Sequence, residues 1–220
     1  MIKELEKRLI TSLILIPISI FFVIKGSIFF IFFLSILFLA TSYEWVIMSK
    51  KNDLLKFLGI IFLFFSFYSA YEFRGNENYR DFLFIITICI FTDIGGYIFG
   101  KFFKGPKLIK ISPNKTYAGV FGGFLLAVVA GLVYDNFYSP DITVYLETFI
   151  NYSTEMQLLI FILIISLVSQ VGDLIISYFK RLAKIKDTGG LLPGHGGLLD
   201  RLDGIIFAIP ISYLLITYIK

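Results

Sequence analysis

The sequence is short of charge, and the charge it has is crowded into a few places. Only 16% of the 220 residues are Asp, Glu, Lys or Arg, against 57% hydrophobic. So apolar a composition, with 26 phenylalanines, exceeds that of an ordinary soluble domain, and the apolar runs are long enough to cross a bilayer. A single cysteine, Cys89, excludes an intrachain disulfide; it falls in an apolar run and reads as a small buried hydrophobe. No low-complexity tail or internal repeat stands out. A cleavable signal peptide is not expected, because the first apolar run lacks a small-residue cleavage site and is followed at once by another. The segment 135–155 has no Lys or Arg at all. The net charge of +4 does not point to nucleic acid, since the basic residues sit between apolar runs, where membrane topology and anionic substrates account for them.

What is there is a series of apolar runs, 9–24, 27–47, 54–71, 82–100, 117–134, 157–179 and 204–219. They predict an all-α polytopic integral membrane protein of about seven transmembrane helices, a single membrane domain over 1–220. Within it 1–81 is expected to act as scaffold and 82–220 to carry the catalytic helices and motif loops. The first run is short against the ~20 residues a bilayer requires. Pro210 is expected to kink the last helix. Trp45 suits the membrane interface, and Glu44 is either interfacial or buried against a partner. Sixteen of the 20 basic residues fall in loops on one side of this arrangement. The positive-inside rule then puts the N-terminus and both motif loops in the cytoplasm, with the chain in the inner (plasma) membrane.

The stretch 177–203 reads SYFKRLAKIKDTGGLLPGHGGLLDRLD. Lys180, Arg181, Lys184, Lys186 and Arg201 are the residue types that neutralise phosphate oxygens, Arg through a bidentate fork and Lys as a point charge. Asp187, Asp200 and Asp203 are hard oxygen donors of the kind Mg²⁺ takes together with phosphates. Gly196 and Gly197, beside the sole histidine His195, let backbone approach a ligand closely. A loop serving only topology needs Lys and Arg, but neither Asp-Arg-x-Asp nor Gly-His-Gly-Gly. Just upstream, Ser166, Ser169, Asp173, Ser177 and Lys180 recur at helical spacings and share one face. An aspartate inside an apolar span is costly and usually functional; the plain alternative is a structural pair with Lys180 or a neighbouring helix. Asp93 poses the same choice in the fourth run, where Gly96 and Gly100, with Gly119 and Gly123 in the fifth, permit close helix approach. Between those runs lies a second cationic loop, with Lys101, Lys104, Lys107, Lys110 and Lys115, where basic residues attract anionic headgroups.

The succession SQVGDL, S-x-x-K-R, K-D, P-G-H-G-G and L-D-R-x-D over 169–203 resembles the signature of the phosphatidate cytidylyltransferases (CDP-diacylglycerol synthases), with every spacing intact. TDIGGYIFGK (92–101) and ISPNKT (111–116) resemble that family's D-x-G-A-Y and S-P-N-K-T segments, and weaker similarity, such as Glu44-Trp45, reaches back towards the N-terminus. Two positions depart: Ala118 and Ile176 stand where the family commonly has Glu. The resemblance implies transfer of a cytidylyl group from CTP to phosphatidate, giving CDP-diacylglycerol and pyrophosphate. It implies Mg²⁺, with a second cation left open, held by Asp173 and Asp200, then Asp203 and Asp93. Lys180, Arg181, Lys186, Asp187, His195 and Arg201 would carry the catalytic charge. Ser112, Asn114, Lys115, Thr116, Ser177, Gly196 and Gly197 would bind substrate. The partners implied are CTP, phosphatidate and the bilayer, with a homodimer left open. Two other readings are compatible with the sequence: a CTP-dependent kinase of isoprenoid alcohols and a cation-coupled transporter. Polar residues gathered at one mouth, not at midplane, favour an enzyme.

Overall fold

The computed structural model describes residues 2–50, 52–76, 78–109, 112–138, 154–192, 194 and 196–219. The expected helices are there: α1 (Ile2–Lys25), α2 (Ser27–Met48), α3 (Asp53–Asn76), α4 (Tyr79–Phe103), α5 (Tyr117–Tyr138), α6 (Thr154–Leu182), the single turn α7 (Leu199–Leu202), and α8 (Ile205–Ile219). Five of them, α2 to α6, are long and apolar enough to span a membrane, while Ile10–Lys25 and Ile205–Thr217 are shorter apolar stretches. The fold is that of an all-α, multi-pass membrane protein. Pro210 lies inside α8, as expected. The charged start of the chain does not stand apart from the first span, because α1 runs through it from Ile2.

The second cationic loop is not loop throughout. Lys107–Ile109 (β1) pairs antiparallel with Ser112–Thr116 (β2), Lys107 opposite Thr116. The hairpin delivers β2 directly into α5. There Thr116 Oγ1 accepts from the Gly119 N–H at 3.1 Å, closing the first turn of the helix.

Small residues let α4 and α5 pack along their length. A methyl group on Gly95 would collide with the Gly122 carbonyl, and one on Gly119 would come within 2.8 Å of the Gly96 carbonyl. Gly100 meets Thr116 Oγ1 and Gly123 meets the Thr92 carbonyl, so the predicted glycine face is a packing face, extended by Gly95 and Gly122. Two apolar cores follow. One, built on Phe30, Phe73, Phe84, Ile88, Ile162 and Ile165, joins helices from both halves of the chain. The other, built on Trp45, Met48, Leu63, Ile176, Leu199 and Ile206, lies beneath the glycine-rich loop. Ile176 is 2% exposed within it, where an unpaired carboxylate would be costly.

Trp45 faces other helices, not the outer surface. It is buried between α2, α3 and α6, its indole N–H donating to the Leu55 carbonyl at 3.1 Å and its ring edge-on to Phe179. Gly59 leaves room for it, since a methyl group there would occupy the indole. The ring can be buried because its one polar atom has a partner.

Candidate functional site

Two carboxylate centres organise the cationic ends of these helices. The first is Asp173 on α6. Ser177, one turn on, donates its hydroxyl to Asp173 Oδ1 at 3.3 Å, as the shared helical face predicts. Lys115 Nζ, delivered by β2, lies 2.5 Å from the other carboxylate oxygen, an ion pair without hydrogen-bond alignment. Two motif segments far apart in sequence, 112–116 and the α6 part of 169–203, therefore meet at Asp173. Asp93 on α4 lies within electrostatic reach of Asp173, Lys115 and Arg201. Asp93, Lys115, Gln170 and Asp173 line a cavity of about 400 Å³ between α4, α5 and α6. Leu167 and Val171, which also line it, are 50% and 43% exposed, so the apolar side of the cavity opens towards the surface that faces lipid.

The second centre is Asp200 at the start of α7. Its Oδ1 pairs with Lys180 Nζ at 2.7 Å, and both side chains are largely buried. Its Oδ2 accepts from the Thr188 N–H at 2.8 Å, the Gly197 N–H at 3.1 Å and the Thr188 hydroxyl at 3.1 Å. Glu44 stands behind it, 1% exposed. Glu44 Oε1 accepts from the Leu198 N–H at 2.9 Å, and Oε2 accepts from the Leu199 N–H at 2.8 Å and the Thr188 hydroxyl at 2.9 Å. The sequence allows Glu44 either an interfacial or a buried position; the structure buries it, with donors to both carboxylate oxygens. The signal for this was present, because a carboxylate in an apolar span must be either paired or wet. Thr188, 3% exposed, carried no such signal.

Asp203, 8% exposed, follows on the same loop and accepts from the Gly204 N–H at 2.9 Å. Burial pushes its carboxyl well above the usual range; neighbouring Asp173 and Asp93 push the same way, and Lys180 opposes them. Gly196 has a φ of 85°, which suits glycine, and its carbonyl accepts from the Leu192 N–H at 3.0 Å, closing the turn. Gly197 has no room for a side chain between Thr188 and Glu44. Arg181, Lys186, Asp187 and Arg201 are exposed around this loop, and Arg181 donates to the Ile185 carbonyl at 3.3 Å. Ser112 and Asn114 contribute backbone to β2, and His195 lies outside the described residues. Among the described residues no three His, Cys, Asp or Glu side chains form a ready-made metal cage.

Residues 54–219 match the model of the cytidylyltransferase family. The chain belongs to that family. Among curated relatives, it is 39% identical over 161 residues to a phosphatidate cytidylyltransferase of Staphylococcus epidermidis, covering 73% of this chain and 55% of the relative. It is 36% identical over 159 residues to that of Brucella suis, covering 71% of this chain and 54% of the relative. With the phosphatidate cytidylyltransferase of Rickettsia felis it shares 31% identity over 215 residues, 94% of this chain and 90% of that one. The chain thus spans about half the length of the first two relatives and nearly all of the third. The family match covers Asp93, Lys115, Asp173, Lys180, Asp200 and Asp203, and leaves Glu44 outside it.

Proposed function

We propose that this family member transfers the cytidylyl group of CTP to phosphatidate, giving CDP-diacylglycerol and pyrophosphate, at the cytoplasmic face of the inner membrane. The observation that carries the reading is the Lys115–Asp173 pair, which joins the 112–116 motif segment to the α6 part of the 169–203 signature inside a cavity with one apolar wall. One substrate is an aqueous polyanion; the other keeps its chains in the bilayer and its phosphate at headgroup level. A cavity with Lys115, Asp93 and Asp173 on one side and exposed Leu167 and Val171 on the other suits that combination.

A phosphate oxygen of the lipid attacks the α-phosphorus of CTP in line. The new P–O bond forms as the bond to the β-phosphate oxygen breaks, and pyrophosphate leaves with that electron pair. Such transfers depend on positioning and charge neutralisation more than on a covalent protein nucleophile. Lys115 would hold the lipid phosphate at the cavity, and Lys180 and Arg201 would neutralise the nucleotide phosphates beside the loop. Exposed Arg181 and Lys186 steer the incoming polyanion.

The donor set fits Mg²⁺. Asp173 and Asp203 are neighbouring carboxylates whose mutual repulsion a divalent cation would relieve, and Mg²⁺ commonly takes only one or two carboxylates together with substrate phosphates. Asp173 and Asp203 would hold it, with Asp93 as a further oxygen donor; Asp200, which the sequence pairs with Asp173 as a metal ligand, has its oxygens taken up by Lys180, Thr188 and Gly197. Bound there, it would supply charge neutralisation of the phosphates and of the leaving pyrophosphate.

Purified protein in detergent with labelled CTP and phosphatidate tests the reading. A CDP-lipid product is expected; a phosphorylated alcohol from an isoprenoid acceptor would make it a kinase instead. Neither product under either condition would return the transporter reading. Cysteine scanning with an impermeant reagent checks orientation. A thiol introduced in 139–150 should label from outside the cell and one beside Thr188 should not.

A further inference from the structure

We infer that Glu44 is a positioning residue for the nucleotide-facing loop, a latch supplied by a helix that the family match does not include; this rests on the reading of that loop as the phosphate-binding part of the site. Glu44 sits on α2, more than 140 residues from every group it holds. Among the described residues it makes no ion pair, so its charge is stabilised by neutral donors alone: two successive backbone amides and one hydroxyl. Those amides belong to Leu198 and Leu199, immediately ahead of Asp200 and Arg201. Fixing them fixes the direction in which α7 leaves the loop, and with it where Asp200 meets Lys180.

Thr188 couples the two carboxylates. Its hydroxyl lies 2.9 Å from Glu44 Oε2 and 3.1 Å from Asp200 Oδ2, and its single proton serves one of them at a time. Two glycines make the approach possible. A methyl group on Gly189 would come within 2.6 Å of Glu44 Oε1, and one on Gly197 within 2.6 Å of Glu44 Oε2. The loop is therefore closed over a buried carboxylate, not merely laid on the membrane surface.

Glutamine is the informative substitution because its shape is nearly that of glutamate. Its NH₂ must face either the Leu198 N–H or the pair formed by the Leu199 N–H and the Thr188 hydroxyl, setting donor against donor. The experiment compares full-length wild type, Glu44→Gln, Thr188→Val and the double variant in detergent. It measures hydrogen exchange by segment, kcat and the KM for CTP. In Glu44→Gln, exchange over 186–200 should rise about tenfold while the interiors of α4 to α6 stay protected. kcat should fall about tenfold with a smaller change in KM, as expected for groups held off their working geometry. Thr188→Val should reproduce part of this, and the double variant should lose no more than Glu44→Gln alone, since the residues act through one network.

Unchanged exchange over 186–200 in Glu44→Gln overturns the latch, and so does wild-type kcat in a variant whose loop exchange has risen. Should Glu44→Gln fail to fold, Thr188→Val decides alone: faster loop exchange with lowered kcat supports the latch, and wild-type values for both overturn it. Faster loop exchange in a protein whose wild type makes no CDP-lipid would leave the latch standing and refute the assigned reaction.

Discussion

Asp173 and Asp200 carry the same charge, belong to the same signature and lie 27 residues apart in the sequence, yet their surroundings differ. Asp200 has one ion pair, two backbone amide donors and a hydroxyl shared with Glu44, with a side chain 8% exposed. A carboxylate offers about four lone-pair sites, so its acceptor capacity is nearly filled by the protein. Asp173 has one hydroxyl donor and one ion pair, with a side chain 30% exposed in the wall of an open cavity. Asp200 is spent on holding the loop together; Asp173 keeps oxygen free for a ligand. An identical residue type thus does architectural work in one region and lines an open cavity in the other. What separates them is how many donors the fold has already aimed at each.

The largest expected effect breaks the open centre. Asp173→Asn should lower CDP-lipid formation by about 1,000-fold, the range seen when charge stabilisation of a transferring group is removed, while the protein still inserts and melts near the wild-type temperature. Near-normal turnover with normal Mg²⁺ dependence would take Asp173 out of the site and erase the contrast with Asp200.

Asp200→Asn should behave differently, losing activity and stability together. Breaking a largely buried ion pair on one side costs about 3–5 kcal/mol, because Lys180 is left buried without its partner. Thermal unfolding in detergent measures this, and a melting temperature equal to that of Asp173→Asn would mean the two carboxylates are not distinct in kind.

A smaller loss is expected from the helix packing that brings the open centre together. Gly95→Ala drives a methyl group at the Gly122 carbonyl, and overpacking of this sort costs about 1–3 kcal/mol. Because α4 and α5 carry Asp93 and follow Lys115, KM for phosphatidate should rise while exchange over 186–200 stays as in wild type. A change confined to the loop would contradict the separation of the two regions.

The smallest effect belongs to the floor of the closed region. Trp45→Phe removes the indole N–H and leaves the Leu55 carbonyl without that donor, a loss of about 1 kcal/mol. It should lower the melting temperature slightly and leave kcat within about twofold of wild type. A larger fall in kcat would mean that the floor beneath the loop helps to set the position of the phosphate-binding groups.

Much of this protein was legible before folding was considered. Apolar runs of bilayer length, interrupted by clustered charge, dictate membrane helices, because a backbone in lipid must satisfy its own hydrogen bonds. The spacing of Ser166, Ser169, Asp173, Ser177 and Lys180 dictates a shared face, because an α-helix repeats every 3.6 residues or so. Glycines at 96, 100, 119 and 123 announce close helix packing. These are local facts, and local periodicity carries them. The partner of each charge is not a local fact. Lys180 lay on the same helical face as Asp173, yet it pairs with Asp200, and Asp173 pairs instead with Lys115 from a hairpin between α4 and α5. Glu44 could be read as wet or buried until α2 was seen to pass beneath residues 198 and 199. Trp45, apt for an interface, found a carbonyl indoors. Composition and period fix which segments enter the membrane; only the packing of those segments decides which donor meets which carboxylate, because that choice depends on distances between residues far apart along the chain.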